Sequence, residues 1–244
     1  MRTATLLLFT IFAAASCTRA APPTVNPPGW TTSLSAAHVL AGKIWSTSEK
    51  RFVSPAQMVA AAARSNYIFL GENHDNPDHH HLQAWVLRGL IQKGRTPAIV
   101  FEMIEETRQS ALTKYQMNNR LDASGLGAAV GWGKTGWPAW SKYQPIADVA
   151  FEAESPIIAG SPAKHGKSLT IARRTRLGLD APLTMGQRDA MLETIDAGHC
   201  RLVPKRHLEP MVSIQRARDA VLADNAYKAS VDGDRNRGVV LIVG

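Results

Sequence analysis

The chain has 244 residues, 45 % hydrophobic and 20 % charged, which excludes a disordered polypeptide and suffices for one domain with a sizeable core. Its formal net charge of +8 comes without a basic helix or a recognisable nucleic-acid motif, so the charge points to anionic lipid headgroups or acidic ligands such as propionates, and nucleic acid is excluded as a partner. The two cysteines, Cys17 and Cys200, are too few for a disulfide framework, so stability must come from packing.

The chain opens with Met1-Arg2 and an uncharged run, LLLFTIFAAA over residues 6–15, the charged-then-apolar layout of a secretory signal peptide. The run ends in Ala14-Ala15-Ser16-Cys17, small residues before a thiol that a lipoprotein signal peptidase could present for acylation, although Ala14 stands where a leucine is usual. The expectation is that residues 1–16 are removed and that Cys17 carries a lipid; the alternative is ordinary cleavage with an incidental cysteine. Residues 17–36, rich in Pro, Thr and Ser, read as an extended, mobile tether, and residues 37–244 as a single domain. No second apolar run reaches membrane-spanning length.

Ser54-Pro55-Ala56-Gln57 predicts a helix start with a capping box, running to about Arg64. Tyr67–Leu70 predicts a short buried strand. Asn76-Pro77 opens a second helix with Leu82, Val86 and Leu90 on one face. Ala98–Phe101 is the next strand, followed by a helix over 105–117 and a Gly-rich loop over 125–137. Pro145 is expected to begin another helix, Pro156–Ala159 to form a third strand, and Thr184-x-x-Gln187 to make another capping box. Glu209 to about Lys228 reads as a long amphipathic helix, and Val239–Val243 as a fourth strand. Short apolar strands alternating with helices predict an α/β fold: a mainly parallel sheet with helices on both faces and ligands at the carboxyl ends of its strands.

Two polar clusters fall at such ends. Gly71-Glu72-Asn73-His74-Asp75-Asn76 follows the first strand, and His79, His80 and His81 follow in the next helix. Imidazole and carboxylate are metal ligands and acid–base groups, and the helix N-terminus favours an anion. His74 is the strongest functional candidate here, His79 and His80 are balanced between function and structure, and His81 reads as a solvated helix residue. Glu102 follows the second strand, where it could orient His74 or act as a base, or simply sit in an ion pair; Glu105 and Glu106 read as exposed helix-start charges. A third cluster, Trp132, Trp137, Pro138, Trp140, Lys142 and Tyr143, sets three tryptophans within nine residues. It could line a pocket for a flat apolar ligand or pack on itself, and a tyrosine phenolate can ligate ferric haem.

The string IFLGENHDNPDHHHLQ over residues 68–83 resembles the signature of the ChaN-like haem-binding uptake lipoproteins of the Tiki superfamily. Phe101-Glu102-Met103, Gly136-Trp137-Pro138-Ala139-Trp140, Tyr143-Gln144-Pro145-Ile146, Gln187-Arg188-Asp189, Gln215–Asp219 and Val239–Gly244 extend the resemblance over roughly residues 40–244. It implies an EreA/ChaN-like fold and a lipid-anchored envelope protein that binds haem between two protomers in iron acquisition. Tyr143 would ligate the iron, and His74, His79, His80 and Lys142 would contact propionates or metal. With Thr18 after Cys17, the implied location is the outer rather than the inner membrane. The family continues past its last strand into an Asn-Gly-His segment, so the last part of its domain is expected to be missing here. Two other readings stand beside haem binding. One is a metal-dependent hydrolase using Gly71-x-x-His74 with Glu72 and Glu102 around an ion such as zinc. The other is a structural envelope lipoprotein with a degenerate site.

Overall fold

The computed structural model describes residues 26–33, 35–232 and 237–244; the expected signal peptide and Cys17 lie outside the described residues. A small hairpin comes first, β1 (Ile44–Ser46) paired antiparallel with β2 (Arg51–Val53), with Trp45 and Phe52 edge to face at 5.1 Å. Three-residue strands are too short for periodicity to reveal, and none was expected here. Helix α1 (Pro55–Ala62) starts on the predicted capping box: the Ser54 hydroxyl accepts from the Gln57 N–H, and the Gln57 side chain accepts from the Ser54 N–H. Then follow β3 (Tyr67–Gly71), α2 (Pro77–Gln92), β4 (Ala98–Glu105), α3 (Gln109–Asn118), the short α4 (Leu126–Ala129), α5 (Trp140–Glu152), β5 (Ile157–Ser161), α6 (Ile171–Arg176), α7 (Met185–Gly198), α8 (Lys205–Val231) and β6 (Val239–Val243).

Strands β3, β6, β4 and β5 form, in that order, one parallel sheet. The last strand in sequence therefore enters the middle of the sheet, and its run Val239–Ile242 is buried, as a central parallel strand requires. Alternate residues divide the core. Ile68, Ile99, Phe101, Val240 and Ile242 pack toward α1, α2 and α5, while Val100, Val239 and Leu241 pack with Ala226 of α8. Helices thus cover both faces, as the α/β reading expected.

Several elements depart from the sequence reading. β3 is an edge strand with Ile68 buried but Phe69 65 % exposed, because α8 on that face reaches toward β4 and β5 rather than over β3. β4 runs on through Glu105, so Glu102 lies within a strand. Glu106 is not a free helix-start charge; it holds Arg173 in a two-pronged ion pair at 2.7 and 2.9 Å. α5 starts at Trp140 and carries Pro145 in its interior. The missing N–H there costs one bond to the carbonyl of Ser141, an exposed residue, while the extra turn buries Tyr143. α8 likewise starts four residues early and runs through Pro210. The tryptophan-rich segment sends Trp132 into the core: it is 3 % exposed, its ring N–H donates to the Pro138 carbonyl, and it packs on Trp140 and Tyr143, while Trp137 stays partly exposed.

Two further contacts fix the periphery. Thr31 and Thr32 each donate a backbone N–H and a hydroxyl to the buried carboxylate of Asp78 in the first turn of α2. The expected mobile tether is therefore clasped to the domain upstream of residue 37. On the outer edge of β5, Gln109 donates to the Ile157 carbonyl and accepts from the Ala159 N–H, and Gln116 donates to the Ser155 carbonyl and accepts from the Ile157 N–H. Two side-chain amides thus stand in for a neighbouring strand.

Candidate functional site

The site forms at the carboxyl edge of the sheet, where β3 leaves into the loop before α2. Asn76 caps α2 by accepting the Asp78 N–H, and Pro77 occupies its first turn. The Asn73 N–H donates to His79 Nδ1, and the Lys142 ammonium donates to the Asp75 carbonyl, so the loop is held from both sides. This fixes Glu72, whose side chain is fully buried, beneath His74.

Glu72 is the hub. Its Oε1 accepts from the Tyr143 hydroxyl at 2.7 Å and lies 2.7 Å from His74 Nδ1, and its Oε2 lies 3.3 Å from His80 Nε2. Burial alone would raise the Glu72 pKa, but hydrogen bonds from His74 and Tyr143, with the His80 imidazole 3.3 Å away, hold it down at about 2. The hydrogen bond to Glu72 raises the His74 pKa above its ordinary value; partial burial opposes the shift and the Glu72 charge adds to it. Burial, then the Glu72 carboxylate, push the Tyr143 phenol well above its ordinary value, so it is a neutral donor.

The expected site residues therefore separate into two sets. Tyr143 and His80 are fully buried, stacked at 4.2 Å, and back the site from within the core. His74, by contrast, is partly exposed. With Nδ1 directed at Glu72, Nε2 is left as its free nitrogen. Its ring lies 4.6 Å from that of Trp137 and presses on Gly244, where a Cβ would collide with the imidazole. His79 holds the loop, and His81 is half-buried beside Trp85 and Asp148.

Next to Trp137, the aromatic neighbour of His74, a cleft of about 250 Å³ opens that His74 itself does not line. Trp132 and Trp137 wall it, and Arg108, Lys134 and Arg218 supply cations. Glu102 accepts from Arg218 at 2.6 Å and from the Gly244 N–H at 3.0 Å, tying α8 to the end of β6. The Arg218 guanidinium lies 5.9 Å from the centre of the Trp137 ring. Glu102 thus takes the ion-pair role, not that of a partner to His74. Arg108 and Lys134 carry no sequence signal. Arg218 comes from more than a hundred residues downstream of Glu102, and only the late-helix string gave a hint of it.

Among the described residues no three His, Cys, Asp or Glu side chains converge to hold a metal ion. The zinc alternative finds no such ligand set among the described residues. Nor, among the described residues, is any helix long and apolar enough to cross a membrane.

The model of a family described as haem-binding uptake, Tiki superfamily, ChaN, matches residues 58–244. A solved structure of cofacial heme binding to ChaN of Campylobacter jejuni superposes with a TM-score of 0.63 at 24 % identity, covering 83 % of this chain and 79 % of that one. At that identity the likeness is one of fold. No curated protein matches.

Proposed function

Since the chain belongs to the haem-binding uptake family ChaN of the Tiki superfamily, we propose that it binds haem at the carboxyl edge of its sheet, with His74 as the iron ligand. One observation supports this assignment: Glu72 takes the Nδ1 side of His74 and leaves Nε2 without a hydrogen-bond partner among the described residues, with Trp137 4.6 Å from the ring and Gly244 against it. A buried carboxylate behind an imidazole fixes its tautomer and raises its basicity, which suits iron ligation. The donor set fits haem in two further ways. Trp137 and Trp132 offer flat apolar walls, and Arg108 and Lys134 offer cations for propionates, while Lys142 holds the loop through the Asp75 carbonyl. Tyr143, the ligand that the family resemblance implied, holds its proton and its hydrogen bond to Glu72, so its assigned role is to position Glu72. His79 and His80 support the same loop and hub.

A cleft of about 250 Å³ takes the edge of a porphyrin rather than the whole ring. This supports sharing of the ligand with a second copy of the chain, as a homodimer. Haem held there would supply an iron centre, and the family to which the chain belongs, described as haem-binding uptake, supports reading it as cargo. The charged-then-apolar first residues support the proposal of an envelope location, with export through a signal peptide of residues 1–16 and a lipid on Cys17 at the outer membrane.

Titration of the purified chain with haemin, followed by the Soret band, tests the assignment. His74→Ala is expected to abolish saturable binding, while Tyr143→Phe weakens it and leaves the spectrum of a histidine-ligated haem. Loss of the spectrum in Tyr143→Phe with retention in His74→Ala would transfer the iron to Tyr143. Labelling with a radioactive fatty acid, lost in Cys17→Ser, tests the anchor.

A further inference from the structure

Helix α8 runs antiparallel to the strands. Arg218 meets Glu102 near the carboxyl edge, Asn225 donates to the Ala159 carbonyl, and Ser230 meets the Tyr67 hydroxyl at the opposite edge. Residues 205–217 therefore extend past the carboxyl edge by about 20 Å of helix. Helix α7 packs on this extension through Ile195, Leu208 and Val212, giving the hairpin its own small core.

The turn of the hairpin is unusual in two respects. Cys200 and Arg201 are successive non-glycine residues with left-handed backbone, at φ 54° and 57°. They lead directly into Leu202, which is 83 % exposed. Around it most charges are paired and two cations are not. Arg201 engages Glu193 and Asp196, and Glu209 is taken by Arg188. Lys205 and Arg206 are exposed and carry no carboxylate partner among the described residues.

An exposed leucine flanked by unpaired cations suits an interface that is apolar beneath and anionic above. We propose that the α7–α8 tip, Cys200–His207, docks on an anionic phospholipid surface.

The test uses the full chain with Cys17→Ser, which removes the lipid, and the same chain also carrying Leu202→Ser, Lys205→Gln and Arg206→Gln. Co-sedimentation is measured with phosphatidylcholine vesicles with and without phosphatidylglycerol. The unaltered tip should bind the anionic vesicles in a salt-sensitive way, and the altered tip roughly 30-fold more weakly, from the loss of two surface cations alone. Haemin titration should be unchanged, which shows that the variant is folded. Equal binding by both chains would overturn the proposal, and so would a concentration-dependent dimer lost with the tip substitutions in place of vesicle binding. If fatty-acid labelling of Cys17 fails while the vesicle difference holds, the anchor falls and the tip stands.

Discussion

Glu72 shows how a single buried carboxylate organises the site. It accepts from Tyr143, 71 residues away in sequence, and holds His74 two residues along. Glu72→Gln keeps the shape and removes the charge. It is expected to destabilise the fold by about 1.5–3 kcal/mol, measured by urea unfolding, as expected for charge-assisted hydrogen bonds. The same change should weaken haemin binding about 10- to 100-fold and return the His74 pKa toward its ordinary value in an NMR titration. Asp78 yields a pH prediction. Burial works against its charge, but the Thr31 and Thr32 donors hold its pKa down at about 2. A carboxylate depressed on folding contributes stability above its unfolded value, and that stability is lost as pH falls through the folded one. Asp78→Asn should therefore cost about 1.5–3 kcal/mol at neutral pH, and the gap between variant and parent should close as pH approaches 2. The sequence placed Glu72 and His74 in one loop after a strand, but its reading gave the carboxylate that orients His74 as Glu102, because which carboxylate turns inward depends on packing. The inward direction of Tyr143 was not visible in the sequence either, because it depends on a helix start that Pro145 disguised.

Among the elements, local signals were read well wherever the physics is local. The capping boxes at Ser54 and Thr184 both form as their residues dictate. Signals that depend on tertiary packing were misread: β3 is half exposed because of where α8 lies, and α5 and α8 run through prolines because their first turns bury core residues. Helix α4 shows how tight that packing is. A Cβ at Gly127 would meet the Trp140 ring, so Gly127→Ala should cost about 1–3 kcal/mol in thermal or chemical unfolding. On the edge of β5, Gln109 and Gln116 together make four hydrogen bonds to backbone groups. Replacing both by alanine should destabilise the chain by about 2–4 kcal/mol. It should also produce concentration-dependent oligomers on size-exclusion chromatography, since the freed edge templates another strand.

At the scale of the molecule, the alternation of strands and helices was enough to predict the parallel sheet. It could not give the strand order, because the entry of β6 between β3 and β4 is decided by which apolar faces meet. It is also this order that brings Gly244 against His74 and Glu102. Ligand binding at such a junction of β3, β4, β6 and α8 should stabilise the whole fold. Haemin at 100 times its dissociation constant is expected to add about 2.7 kcal/mol, read as a rise in Tm that His74→Ala abolishes.

With β5 sealed by amides, the sheet has one terminated side and one extendable side. Among the described residues β3 carries no comparable pair of glutamines, and Tyr67 and Phe69 stand outward on it. A strand arriving from another molecule has only that side to join. Two copies meeting there through a twofold axis would consume both free edges at once, so sheet growth halts at a pair and never becomes a fibre.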